Sequence, residues 1–185
     1  MRVLVIRHAI AEDSRAFAKT GREDGARPLT KEGRAKMRQG AAGLAKLVPR
    51  LDALATSPLA RAIETAEIVA KAYAAGAGAA GGGTGTGGGA GPVRVQQVAA
   101  LTPTKPVNAL LHWLQGQPAV ATVAVVGHEP HLGMFVSWLL TGLQDSFVEL
   151  KKGSACLLEL EKDVKPGRAK LLWALKPGQL RELGK

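Results

Sequence analysis

The chain has 185 residues, a formal net charge of +10, 46% hydrophobic residues and only 4% aromatic ones. That length suits one domain, 1–185, whose core must be built from Ala, Val and Leu rather than from rings. The single cysteine, Cys156, excludes an internal disulfide, and the apolar stretch Leu132 to Leu140 falls well short of the ~20 residues that a membrane span needs.

The basic balance favours acidic partners in general, or simply a well-solvated surface. The sequence shows no zinc spacing, no aromatic–basic stacking pattern and no basic amphipathic helix, so neither nucleic acid nor a membrane is expected as a partner. The first apolar run is four residues long and is stopped by Arg7 and His8, unlike a secretory signal, and a cytoplasmic location is expected.

Residues 2–6 predict a short buried strand, because Val3-Leu4-Val5-Ile6 is wholly apolar and rich in β-branched residues. Residues 9–29 are charged and predict a long irregular loop, of the kind that often carries function. Thr30 is a good N-cap for a helix over 31–47, on which Met37, Ala41, Leu44 and Val48 are spaced for one face. A second strand follows over Leu51 to Thr56. Ser57 is placed to cap the next helix and to present its N–H at the strand end, with Pro58 at the first helical position. That helix is expected to run to about Tyr73, with Ala62, Ala66 and Val69 on the same side.

Residues 76–92 are dominated by glycine and predict a flexible loop within the domain. With no phosphate-loop lysine and no preceding strand, the tract is not a nucleotide site. Val93 to Val98 predicts an edge strand, Pro106 to Leu114 a short helix, Ala121 to Val126 a buried strand and Pro130 to Leu140 an apolar helix. Ala155 to Leu160 and Ala169 to Leu175 predict a hairpin whose turn contains Pro166-Gly167. Strands alternating with helices, then a hairpin, predict an α/β fold with a mostly parallel sheet covered on both faces.

Three of these strands end in chemistry. The first runs into Arg7-His8-Ala9, the second into Ser57-Pro58-Leu59-Ala60-Arg61, and the strand ending at Val126 into Gly127-His128-Glu129-Pro130. An open α/β sheet binds its ligands beyond the carboxyl ends of its strands. Two Arg and two His gathered there suit the holding and transfer of a phosphoryl group. His8 is the candidate nucleophile, since a neutral imidazole can attack phosphorus and form a phosphohistidine. Arg7 and Arg61 are candidate clamps for phosphoryl oxygens, Arg61 with the support of a helix N-terminus. His128 is the candidate fourth ligand, donating to the oxygen on which charge must be stabilised.

The segments Arg7-His8-Ala9, Arg27-Pro28-Leu29-Thr30-Lys31-Glu32-Gly33, Ser57 to Ala66 and Gly127-His128 together resemble the histidine phosphatase superfamily, whose fold is phosphoglycerate mutase-like. Within it, the short chain and Ala100-Leu101-Thr102-Pro103 resemble the SixA-type phosphohistidine phosphatases. The resemblance implies a three-layer α/β/α sandwich, no metal and no other cofactor. It implies phosphorylation of His8 and a phosphate pocket of Arg7, His8, Arg61 and His128.

Ala9 stands where this superfamily usually has Gly, and a backbone with φ above zero there would make Ala costly. No inserted segment supplies the carboxylic acid that many relatives use to protonate the leaving group. Glu129 is the candidate for that role, with Glu12 and Asp13 expected to be ordinary surface carboxylates. A phosphohistidine substrate, with its P–N bond and imidazole leaving group, needs such an acid less than an alkyl phosphate does. The expectation is therefore a phosphohistidine phosphatase acting on a phosphorylated signalling protein. The alternatives are the same chemistry on small phosphomonoesters or polyphosphate, and a phosphate-binding protein without turnover.

Overall fold

The computed structural model describes residues 1–79 and 93–185. Strand β1 (Arg2–Arg7) is the keystone of a six-stranded sheet. Val3 and Val5 of β1 point into one core cluster and Leu4 and Ile6 into the other, and all four are fully buried. An apolar run without polar alternation is what a strand covered on both faces requires.

The other strands are β2 (Ala53–Thr56), β3 (Val95–Gln97), β4 (Thr122–Gly127), β5 (Ala155–Glu159) and β6 (Lys170–Leu175). Their order across the sheet is β3-β2-β4-β1-β5-β6. β1, β2, β3 and β4 run parallel, while β5 and β6 form an antiparallel hairpin beside β1. The mostly parallel sheet with a late hairpin thus matches the expectation, and β3 lies at an edge as the sequence suggests. Gly167, in the turn between β5 and β6, has φ +73°, a conformation that glycine adopts without penalty.

One face carries α2 (Lys31–Leu47), α3 (Ala60–Ala79) and α6 (Pro177–Leu183), and the other carries α4 (Val107–Gln115) and α5 (His131–Thr141). The result is a three-layer α/β/α sandwich. Thr30 caps α2 as predicted, its Oγ1 accepting from Gly33 N at 2.9 Å. The predicted faces of α2 and α3 are the buried ones.

Several boundaries differ from the sequence reading. Residues 9–29 are not irregular throughout: they include α1 (Ser14–Ala18), capped by the Asp13 carboxylate, and a 3-10 turn over Asp24–Ala26. α3 begins at Ala60, so Pro58 lies outside the helix, and it continues past Tyr73 to Ala79 because its alanines favour helix despite Gly76. Of the expected flexible loop over 76–92, residues 76–79 therefore belong to α3 and 80–92 lie outside the described residues. α6 was not anticipated. It is short, and Leu180 is its one buried residue. It fits because α2 presents Gly43, where any Cβ would collide with the Leu180 carbonyl.

Candidate active site

β2, β4 and β1 are neighbours and parallel, so Thr56, Gly127 and Arg7 end on one edge of the sheet. Register fixes the match: Arg7 pairs with Gly127, and Thr56 with Val126. The residues that follow, His8, Ser57 and His128, are brought together by sheet geometry alone. The backbone ties them further, with His8 N donating to Gly127 O and Ser57 N to Val126 O, both at 3.0 Å. The Ser57 N–H is therefore spent in the sheet and is not offered to a ligand, contrary to the sequence reading.

His8 is 5% exposed, and its Nδ1 lies 2.7 Å from the Ala9 carbonyl. A carbonyl only accepts, so Nδ1 carries the proton and the neutral ring has its lone pair on Nε2. Burial lowers the His8 pKa to about 4, against the opposing pull of the Ala9 carbonyl and with help from Arg61, Arg7 and Lys152. The ring is neutral at pH 7. His128 is equally secluded, and its Nε2 meets the Ser57 hydroxyl at 2.8 Å. Burial, with His8 and Arg61 nearby, lowers its pKa to about 3.

The two arginines flank these rings. Arg7 Nη1 donates to Leu150 O at 2.6 Å. Arg61, 6% exposed, is the second residue of α3 and donates from Nη1 to the Asp24 backbone carbonyl at 3.0 Å. Thr65, one turn further along α3, donates to Arg61 O at 2.7 Å and accepts from Ala9 N at 3.1 Å. Arg7 Nε, Arg61 Nε and His128 Nδ1 are buried without a hydrogen-bond partner. All three residues line one cavity.

That cavity, about 390 Å³, is lined by Arg7, His8, Arg61, His128 and Glu129, and also by Arg27, Lys152 and Pro103. The five candidate residues are thus assembled in one place. Ala9 sits there without strain, since no residue other than glycine has positive φ among the described residues. Glu129 is half-buried, and burial raises its pKa. Its two oxygens accept from Leu150 N at 3.0 Å and Gly133 N at 3.3 Å, so it braces the backbone around the site. Glu12 and Asp13 line the cavity rim and are exposed.

Sequence reasoning missed three contributors. Arg27 lies at the start of the Arg27 to Gly33 segment, and its Nη1 donates to Glu12 O at 2.7 Å. Lys152 carries no local signal. Asp24, on the 3-10 turn, bonds both Arg27 and Arg61. Among the described residues no group of three or more His, Cys, Asp and Glu side chains is arranged to hold a metal ion, and no helix is long and apolar enough to cross a membrane.

A family model described as the histidine phosphatase superfamily (branch 1) matches residues 3–77. An uncharacterized protein of Picosynechococcus sp. is 33% identical over 154 residues, which are 82% of this chain and 81% of that protein. Among solved structures, the protein histidine phosphatase SixA complexed with tungstate superposes with a TM-score of 0.74 at 23% identity, over 97% of this chain and 99% of that one. A phosphoglycerate mutase from Bacillus anthracis superposes with a TM-score of 0.65 at 13% identity, over 100% of this chain and 97% of that one. At such identities these two likenesses are of fold.

Proposed function

The chain belongs to the histidine phosphatase superfamily, and from that membership we propose that it is a phosphatase whose substrate is a phosphohistidine on a protein. The observation that carries this reading is the Nδ1 hydrogen bond of His8 to the Ala9 carbonyl, which leaves Nε2 of a neutral ring as the lone-pair nucleophile. In this reading Nε2 attacks phosphorus. A His8–P bond forms, and the P–N bond to the substrate imidazole breaks, the departing ring taking a proton from solvent water. Water then attacks the phosphohistidine, releasing phosphate and restoring His8. Arg7 and Arg61 bind the non-bridging oxygens with charge that does not titrate, and His128 donates to the third.

Two features support a protein phosphohistidine over an alkyl phosphate. Glu129, which lines the cavity, has both oxygens engaged by backbone N–H groups, and an imidazole departs without a strong general acid. The rim of the cavity at Glu12, Asp13 and Ser14 is also exposed. Proteins that stay in solution would meet it directly, in keeping with the expected cytoplasmic location.

The test is phosphate release from a phosphohistidine-bearing domain by the native chain and by His8→Ala. Release by the native chain, abolished in the variant and accompanied by a trapped phosphoenzyme, is the expected result. Turnover of phosphomonoesters alone would overturn the substrate class, and residual release by His8→Ala would overturn the nucleophile.

A further inference from the structure

Beside the phosphoryl pocket lies a second cavity, of about 530 Å³, which shares Arg7 with it. Ile10, Met37 and Pro177 give it an apolar floor, and Lys36, Lys151, Lys152 and Arg181 stand around it. Glu149 is the one acidic residue of its lining. Lys36 pairs with Glu32 on α2. Lys151, Lys152 and Arg181 have no ion-pair partner among the described residues.

The two cavities share a wall. Arg7 and Lys152 line both. The segment that carries Lys151 and Lys152 is stitched to the site: Leu150 O accepts from Arg7, Leu150 N donates to Glu129, and Gly153 N donates to His8 O at 3.1 Å. A ligand seated in the second cavity therefore touches the same short segment that orients Arg7.

We propose that this cavity receives an acidic segment flanking the phosphorylated residue of the substrate protein, an apolar side chain meeting Met37 and Pro177 while its Asp or Glu neighbours meet Lys36, Lys151 and Arg181. The proposal rests on the phosphoprotein reading above. Charge complementarity selects the occupant: a cavity with an apolar floor and a cationic rim fits an acidic, amphipathic stretch of polypeptide. Because the wall is shared, a phosphohistidine can sit at His8 while its flank lies here.

The test uses the full chain and a fluorescently labelled, unphosphorylated peptide in which several Glu surround one Leu, compared with the same peptide carrying Gln. Anisotropy should show the Glu peptide binding about tenfold more tightly, with the preference shrinking as salt is raised. In K36Q/K151Q/R181Q, shown to be folded by its melting transition, the preference should vanish. Equal binding of the two peptides to the native chain overturns the proposal, and this comparison does not depend on the variant folding. A preference that survives the triple substitution overturns it too, as does binding of short polyphosphate with no binding of either peptide. Because the peptides carry no phosphate, failure of phosphohistidine hydrolysis leaves a positive result standing, and equal peptide binding leaves the phosphatase reading standing.

Discussion

Asp24 and Arg61 are joined twice across the site: Arg61 Nη1 lies 3.0 Å from both the backbone carbonyl and Oδ2 of Asp24. The other carboxylate oxygen accepts from Arg27 Nε at 2.7 Å. One anion on the first loop thus engages two guanidiniums of the proposed phosphoryl pocket, and the Arg27 hydrogen bond is the main reason its pKa is lowered.

A phosphoryl group entering the pocket must compete with that carboxylate. Asp24→Asn should therefore tighten inhibition by vanadate or phosphate severalfold. The stability loss should stay below about 1 kcal/mol, because the Asp24 side chain is 56% exposed. Inhibition constants and chemical denaturation check the two halves. Weaker anion binding in the variant would show instead that Asp24 holds Arg61 in place.

Arg61→Lys keeps the charge and loses the planar fork that can hold two oxygens. The kcat/KM on phosphohistidine should fall about 10²-fold, as it does when a positioned donor to a developing oxyanion is removed. Steady-state kinetics would show it. A change below threefold would mean that charge alone suffices there.

The two histidines set a pH dependence with a definite sign. Both have folded pKa values, about 4 for His8 and about 3 for His128, below the ordinary 6.5. Between pH 6.5 and about 3 the unfolded chain binds protons at these positions that the folded chain refuses. Their contribution to stability is full above pH 6.5 and is lost as pH falls through that window, amounting to roughly a few kcal/mol for each ring. The melting temperature should drop from pH 7 to pH 4.5, and less so in His8→Asn. Imidazole NMR resonances with midpoints near 6.5 would contradict the burial argument.

Thr65 joins the loop that carries His8 to the helix that carries Arg61 through one hydroxyl that is fully buried. Thr65→Val keeps the shape and leaves the Ala9 N–H unpaired, which should cost about 1–3 kcal/mol. Thr65→Ser should be near neutral for that bond. Urea melts of the two variants separate the hydroxyl from the methyl.

Ala9 has ordinary negative φ and is 3% exposed. Ala9→Gly should therefore destabilise the protein, by about 0.5–1 kcal/mol from backbone freedom. Activity should change little. A stabilised Ala9→Gly variant would reveal strain at that position.

Much of this site was legible because it is sheet geometry. An apolar run that stops at Arg-His, and two more that stop at Ser-Pro and Gly-His, place their residues on one edge as soon as the strands are parallel. Thr30 and the faces of α2 and α3 were equally readable, since capping and helical spacing are local. What escaped depends on tertiary contact. Asp24 meets Arg61 across 37 positions, and no local pattern announces that contact. Ser57 has a good capping side chain and its Oγ accepts from Leu59 N at 3.4 Å, yet it also meets His128 and the helix starts three residues later. α6 rests on Leu180 finding the glycines of α2, which no periodicity in seven residues could show.

The placement of β1 also governs how the protein comes to be folded. This strand pairs with β4 and β5 and with no other. During synthesis it must wait until β2, α3 and α4 have been made, roughly ten seconds at ordinary rates. Through that interval Val3 to Ile6 form an unpaired apolar edge, the kind of segment that seeks other chains. Slowing elongation before Thr122 should thus lower soluble yield more than slowing it after Glu159, and a chaperone that binds extended apolar strands should recover the difference.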